Sequence, residues 1–160
     1  MILYHGSYTE IMEPDCWRGS DKLDLGRGFY TTPYREQAAK WAKRFQRRHG
    51  SKVISLYEFN EVAAYRELRI LEFNKYSEDW LEFITLCRMG TGTNSDYDLI
   101  IGSVANDKVF DALEAYFNGF SDKSTAIQRL RYEEPNLHYC FANQETIDGY
   151  LRFLSSEVLL

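Results

Sequence analysis

At 160 residues the chain is the size of one ordinary domain, and its 44% hydrophobic and 16% aromatic content excludes a disordered tail. A formal net charge of −5 excludes a globally basic, nucleic-acid-coating surface. No apolar run reaches the ~20 residues of a membrane span, and Met-Ile-Leu-Tyr-His at the start lacks the basic flank of a signal peptide.

Cys16, Cys87 and Cys140 are isolated and odd in number, with no Cys-x-x-Cys pair. That argues against a disulfide framework or a zinc site and points to a reducing, cytoplasmic setting. His5, His49 and His138 lie too far apart for a local metal motif, so no metal is expected. With no repeat or linker, one domain is expected over residues 1–160.

In chain order, Met1 to His5 reads as a strand. Residues 6–28 are rich in Gly, Asp and Ser and read as a long loop with a helical turn near Thr9–Met12; loops of that length in a compact domain are usually functional. Gly28 to Thr32 is a short strand. Thr32 is placed to cap a helix with Pro33 in its first turn. Ala38, Trp41, Ala42 and Phe45 then form one apolar helical face, and Gly50 stops the helix. Lys52 to Phe59 and Glu67 to Phe73 read as strands.

Ser77 caps a helix of about three turns ending near Gly90. Asp98 to Val104 is a buried strand. Asn106 caps a helix over Asp107 to Phe117 that Gly119 stops, and Ser121 caps another running to Leu130. Leu137 to Ala142 is a strand, Gln144 to Ile147 a short helical turn, and Tyr150 to Val158 a last strand. Without regular βαβ alternation, this order predicts an α+β fold with a largely antiparallel sheet.

Two segments carry candidate chemistry. In Tyr4-His5-Gly6-Ser7 an imidazole, a glycine and a hydroxyl meet where a strand opens into a loop. The glycine either lets a ligand approach the backbone or merely completes a turn. In Gly26-Arg27-Gly28-Phe29-Tyr30-Thr31 two glycines demand special backbone geometry ahead of a β-prone run. No helix opens directly from this pair, so it is not a phosphate loop by itself, and a tight hairpin is the plain alternative.

Together the two segments resemble the nicotinamide site of the ADP-ribosyltransferase superfamily, in the His-Tyr-Glu branch that includes diphtheria toxin and the poly-ADP-ribose polymerases. That branch carries His-Gly-Ser on its first strand, as His5-Gly6-Ser7 here, and Gly-Lys-Gly-Ile-Tyr-Phe on its second, as Gly26 to Thr31 here. Its second ring-stacking aromatic falls on Trp41, which core packing on a helix face would equally explain. A bacterial branch with Tyr-His-Gly-Ser, Gly-Arg-Gly-Phe-Tyr-Thr-Thr and Tyr-Asp-Leu-Ile is closer still.

The resemblance implies a split pair of small sheets with NAD⁺, as co-substrate, in the cleft between them. His5, Gly6, Ser7, Arg27, Gly28, Tyr30 and Trp41 would bind it. Tyr30 and Trp41 can flank a flat cationic ring by stacking and cation–π attraction. Gly6 can serve the carboxamide, His5 a ribose hydroxyl, and Arg27 the pyrophosphate. The catalytic set would be His5, Tyr30 and His138.

His138, in Leu137-His138-Tyr139-Cys140-Phe141-Ala142, stands where the family has a glutamate. A neutral imidazole accepts one hydrogen bond but offers no negative charge; near its unperturbed pKa of ~6.5 it can also take a proton from an acceptor. Glu145 is the rival source of a carboxylate, or else a solvated helix-turn acid. Asp96 and Asp98 either line the cleft or pair with an arginine, or serve turn and cap chemistry. Lys40, Lys43, Arg44, Arg47 and Arg48 form a basic helix face, either merely solvated or facing an acidic or nucleic-acid partner.

The expected function is mono-ADP-ribosyl transfer to a protein or nucleic-acid acceptor. The setting implied by bacterial relatives is an intracellular toxin with a small neutralising partner protein. An NAD glycohydrolase and a non-catalytic NAD or ADP-ribose-binding module are the alternatives.

Overall fold

The computed structural model of the chain describes residues 1–91, 93–105, 107–130 and 136–160. It is an α+β fold with two sheets. The elements in chain order are β1 (Ile2–Ser7), β2 (Phe29–Thr31), α1 (Arg35–Lys43), α2 (Gln46–His49), β3 (Val53–Phe59), α3 (Glu61–Glu67) and β4 (Ile70–Glu72). There follow α4 (Glu78–Arg88), a 3-10 turn (Thr93–Asp96), β5 (Leu99–Ser103), α5 (Asp107–Phe117), α6 (Lys123–Leu130), β6 (Leu137–Phe141), α7 (Gln144–Tyr150) and β7 (Leu151–Val158).

One sheet has the order β1-β3-β7 and the other β2-β6-β5-β4. All pairings are antiparallel except β4 with β5. Strand alternation builds the layers. From β5 and β6, Leu99, Ile101, Tyr139 and Phe141 meet Leu3, Tyr57 and Phe59 of the first sheet. Ile100 and Cys140 point the other way, onto Trp80, Leu81 and Ile84 of α4, Leu113 of α5 and Leu130 of α6. On the outer side of the first sheet, Ala38 and Ala39 of α1 pack on Ile54.

Several local expectations are corrected. Thr9–Met12 is not helical: β3 captures its backbone, Ser55 Oγ accepting from Ile11 N (3.0 Å) and Tyr57 Oη donating to Ile11 O (2.6 Å). Helix α1 starts two residues later than Thr32 and Pro33 suggested, with Tyr34 at its N-cap. Asp122, rather than Ser121, caps α6, its Oδ1 accepting from Thr125 N (2.7 Å).

The expected strand over Glu67 to Phe73 shrinks to Ile70–Glu72, and the residues before it form α3, capped by Asn60. Ser77 caps α4 as expected, and Gly90 and Gly119 terminate α4 and α5 with φ of 74° and 76°. The Asn106 cap lies outside the described residues. Cys16, Cys87 and Cys140 are free and buried. Among the described residues no helix is long and apolar enough to cross a membrane.

Candidate functional site

Among the described residues one isolated bridge joins the edges of the two sheets. Tyr4 and Thr32 exchange both backbone hydrogen bonds (2.8 and 2.9 Å) and form an isolated antiparallel bridge. Beyond it β1 and β2 part, and a cleft of about 640 Å³ lies along the seam, within the ~300–1,000 Å³ range of small-molecule sites. Since Tyr4 directs its N–H and C=O toward β2, alternation directs those of Gly6 toward the same edge, away from β3.

His5 closes the seam. Its Nδ1 lies 2.7 Å from the Tyr30 carbonyl, and its ring stacks on Phe29 with centroids 4.5 Å apart. A carbonyl only accepts, so Nδ1 carries the proton and Nε2 is left as an acceptor in the neutral ring. Burial pulls the His5 pKa below 6.5, opposed by the hydrogen bond to Tyr30.

Tyr30 is anchored at its far end: its hydroxyl donates to Gly26 O (2.6 Å) and accepts from Leu25 N (3.0 Å). Burial holds that hydroxyl far above its usual pKa, so it stays protonated. The loop it grips is itself clamped by Asn94, whose amide donates to Leu25 O and Arg27 O (3.1 and 2.8 Å). Gly26 needs its φ of 82°, and a side chain there would strike Asn94.

Gly6 and Gly28 are glycines for contact rather than for turning. A Cβ on Gly6 would sit 2.1 Å from Ala38 O, and one on Gly28 2.5 Å from Phe141 O. These glycines bring α1 onto β1 and the β2 entry onto β6, which draws the cleft walls together.

His138 lies on the face of β6 that Tyr30 shares from β2, with ring centroids 6.3 Å apart in edge-on geometry. Burial lowers its pKa to about 4, with a backbone hydrogen bond at Asn136 pulling upward and His5 adding to the fall. It is therefore neutral near pH 7, an acceptor or neutral donor, and too weak a base for the proton-abstracting role open to an ordinary imidazole. The Gln37 amide nitrogen, from α1, lies 3.1 Å from both its ring nitrogens and donates to Leu137 O (3.1 Å).

Seven of the expected site residues therefore line one cleft: His5, Gly6, Ser7, Gly28, Tyr30, Trp41 and His138. Trp41 is 42% exposed, so α1 buries its alanines and leaves the indole at the rim, against the core-packing explanation. Arg27 is the exception. Its guanidinium lies over Trp17, 5.9 Å from the ring centroid, and it does not line the cleft. Arg27 lies in the bend ahead of β2, so nearness to Tyr30 in sequence does not carry its side chain to the same side.

Arg18, Arg44 and Arg88 line the cleft instead. Arg88 is held by Asp24 (2.6 Å), which also accepts from Ala105 N (2.6 Å). Arg44 lies over the Trp41 ring, 4.5 Å from its centroid.

Glu145 is exposed in the first turn of α7 and outside the cleft, a solvated acid. Asp98 pairs with Arg69 (2.8 Å) and accepts from Asn143 (3.0 Å), and Asp96 is exposed in the 3-10 turn. Neither lines the cleft. Gln37 leaves only a faint trace in the sequence, its i, i+4 spacing to Trp41 on the same helix face. Asp24 and Arg88 are too distant in sequence to leave a signal.

One family model, described as "Protein of unknown function (DUF3990)", matches residues 1–153. No curated protein and no solved structure matches the chain.

Proposed function

The chain belongs to the DUF3990 family, described as of unknown function, and from its cleft we propose that it is an NAD⁺-dependent mono-ADP-ribosyltransferase with an ADP-ribosyltransferase-like fold. The observation that carries this reading is the junction of His5 and Tyr30 at the mouth of the seam, with the Gly6 backbone edge beside it. An aromatic wall, a free imidazole acceptor and an open N–H and C=O pair are what a nicotinamide riboside requires.

Within this reading NAD⁺ supplies a cationic leaving group and an electrophilic anomeric carbon. The Gly6 edge holds the carboxamide, the Tyr30 ring borders the nicotinamide, and Trp41 flanks the site from the rim. His5 Nε2 accepts from a ribose hydroxyl. Arg18, Arg44 and Arg88, rather than Arg27, supply positive charge for the pyrophosphate.

His138, neutral and beside the Gln37 amide that donates to Leu137 O, accepts from a second ribose hydroxyl. In transfer, the glycosidic bond breaks with its electron pair passing to the pyridinium nitrogen, which leaves as neutral nicotinamide. An acceptor lone pair forms the new bond to the anomeric carbon, and the acceptor proton goes to solvent.

One observation favours a second reading. His138 brings no negative charge to the place where the resemblance calls for a carboxylate, which suits a module that binds NAD⁺ or ADP-ribose without turning it over. Incubation with labelled NAD⁺ and cell lysate separates the cases. Label on macromolecules supports transfer, free ADP-ribose supports hydrolysis, and intact NAD⁺ with measurable binding supports the module. Absence of binding to NAD⁺ or ADP-ribose at millimolar concentration overturns all three.

A further inference from the structure

The charges of this chain are unevenly placed. Lys40, Lys43, Arg44, Arg47, Arg48 and Lys52 fall in a stretch, residues 37–57, that contains no Asp or Glu, although the whole chain carries a net −5. Arginines elsewhere are largely matched: Arg18, Arg35, Arg66, Arg69, Arg88 and Arg152 each reach a carboxylate. Lys40, Lys43, Arg47 and Arg48 are exposed on α1 and α2, and no ion pair with an acid engages them among the described residues. The one acid on these helices, Glu36 in the first turn of α1, pairs with Arg35, and from Gln37 onward α1 and α2 carry positive charge alone.

Aromatic rings stand among these cations. Trp41 and Tyr8 are 42% and 41% exposed. Arg44 covers the Trp41 ring, and Tyr8 stacks on His49 of α2 with centroids 4.0 Å apart and planes 13° from parallel. Trp41, Arg44, Phe45 and Tyr8 also line the cleft, so the basic face runs directly into the proposed site.

We propose that single-stranded nucleic acid binds along α1 and α2, its phosphates on Lys40, Lys43, Arg47 and Arg48 and a base stacked at Trp41, and that it is the acceptor substrate. Cations alone would serve any polyanion. Exposed rings interleaved with them select unstacked bases, because each base presents a π face and each phosphate a charge. An acidic polypeptide uses the cations but brings no base to stack on the exposed indole. The acceptor role rests on the NAD⁺ reading above, whereas the binding surface is measured without NAD⁺.

The test is fluorescence anisotropy of labelled mixed-sequence RNA and DNA 20-mers against the full chain over a salt series, with poly-glutamate as competitor. Four phosphate contacts predict a slope of log K against log salt of about −3. Arg47→Glu with Arg48→Glu lowers affinity more than tenfold and flattens the slope by about 1.4, with NAD⁺ binding by calorimetry unchanged. Trp41→Ala costs roughly 5- to 100-fold in oligonucleotide affinity.

Preference for RNA or for DNA identifies the strand that binds, either supports the surface, and label passing from NAD⁺ to that strand supports the acceptor role. Absent binding at low salt, binding indifferent to the charge reversals or to Trp41→Ala, or displacement by poly-glutamate at equal charge concentration overturns it. Oligonucleotide binding without NAD⁺ binding would sink the transferase reading and leave the surface standing.

Discussion

The Nδ1 of His5 and the carbonyl oxygen of Tyr30 stand 2.7 Å apart across the seam between the two sheets. Each belongs to a different sheet, so one hydrogen bond both ties the sheets beyond the Tyr4–Thr32 bridge and sets the imidazole tautomer. Fold and chemistry share that contact.

Tyr30 separates two roles, ring and hydroxyl. Tyr30→Phe keeps the ring but strips Leu25 N and Gly26 O of a partner, which costs about 1–3 kcal/mol of stability by chemical unfolding. NAD⁺ affinity should change only a few-fold. Tyr30→Ala, which removes the ring, abolishes turnover, as does His5→Ala. Equal loss of turnover in Tyr30→Phe would place the hydroxyl, rather than the ring, in the site.

At position 138 the expected chemistry is acceptance of a hydrogen bond without charge. His138→Glu then retains or raises turnover in a labelled-NAD⁺ assay. Glu145→Ala leaves it unchanged, because that side chain is exposed outside the cleft. Full activity in His138→Ala with loss in Glu145→Ala would reverse the assignment.

Burial holds the imidazoles of His5 and His138 below the free value of 6.5, His138 at about 4. Through that window the unfolded chain takes up protons that the folded protein resists. Stability is therefore full above pH 6.5 and is lost as pH falls toward 4, by roughly 3 kcal/mol at most from His138. Urea unfolding across the interval should show the fall, and His138→Gln should shrink it to the part due to His5. A profile identical in wild type and His138→Gln would show that this imidazole is not held neutral by burial.

Gly6→Ala would drive a Cβ against the α1 backbone, 2.1 Å from Ala38 O and 2.9 Å from Ala42 N. Backbone cannot swing aside as a side chain can, so α1 must shift, at a cost of ~1–3 kcal/mol or more. Thermal unfolding and NAD⁺ affinity should suffer together. An alanine variant of wild-type stability would mean that α1 rides higher over β1 than described.

What was legible in the sequence was local and periodic. The buried strand at Leu99 to Ser103, the strand at Leu137 to Phe141, the Ser77 cap and the glycine stops at 90 and 119 all reappear in the fold. The site was legible at two short motifs, His5-Gly6-Ser7 and Gly28-Phe29-Tyr30, and through the resemblance they carry also at Trp41 and His138. What escaped depends on distant partners. Thr9–Met12 has helix-compatible residues, but Ser55 and Tyr57 satisfy its backbone from β3. Arg27 neighbours Tyr30 in sequence yet points to Trp17, while Arg88 reaches the cleft from 64 positions beyond its partner Asp24. Helix α3 buries only Ala64, too little to leave a periodic trace.

Calorimetric titration of NAD⁺ into the wild-type chain and into His5→Ala tests the central claim most directly. The account predicts saturable one-to-one binding by the wild type, weakened at least about tenfold by loss of a hydrogen bond and of the contact that holds the seam. No heat of binding at millimolar NAD⁺, or equal affinity in His5→Ala, would contradict it.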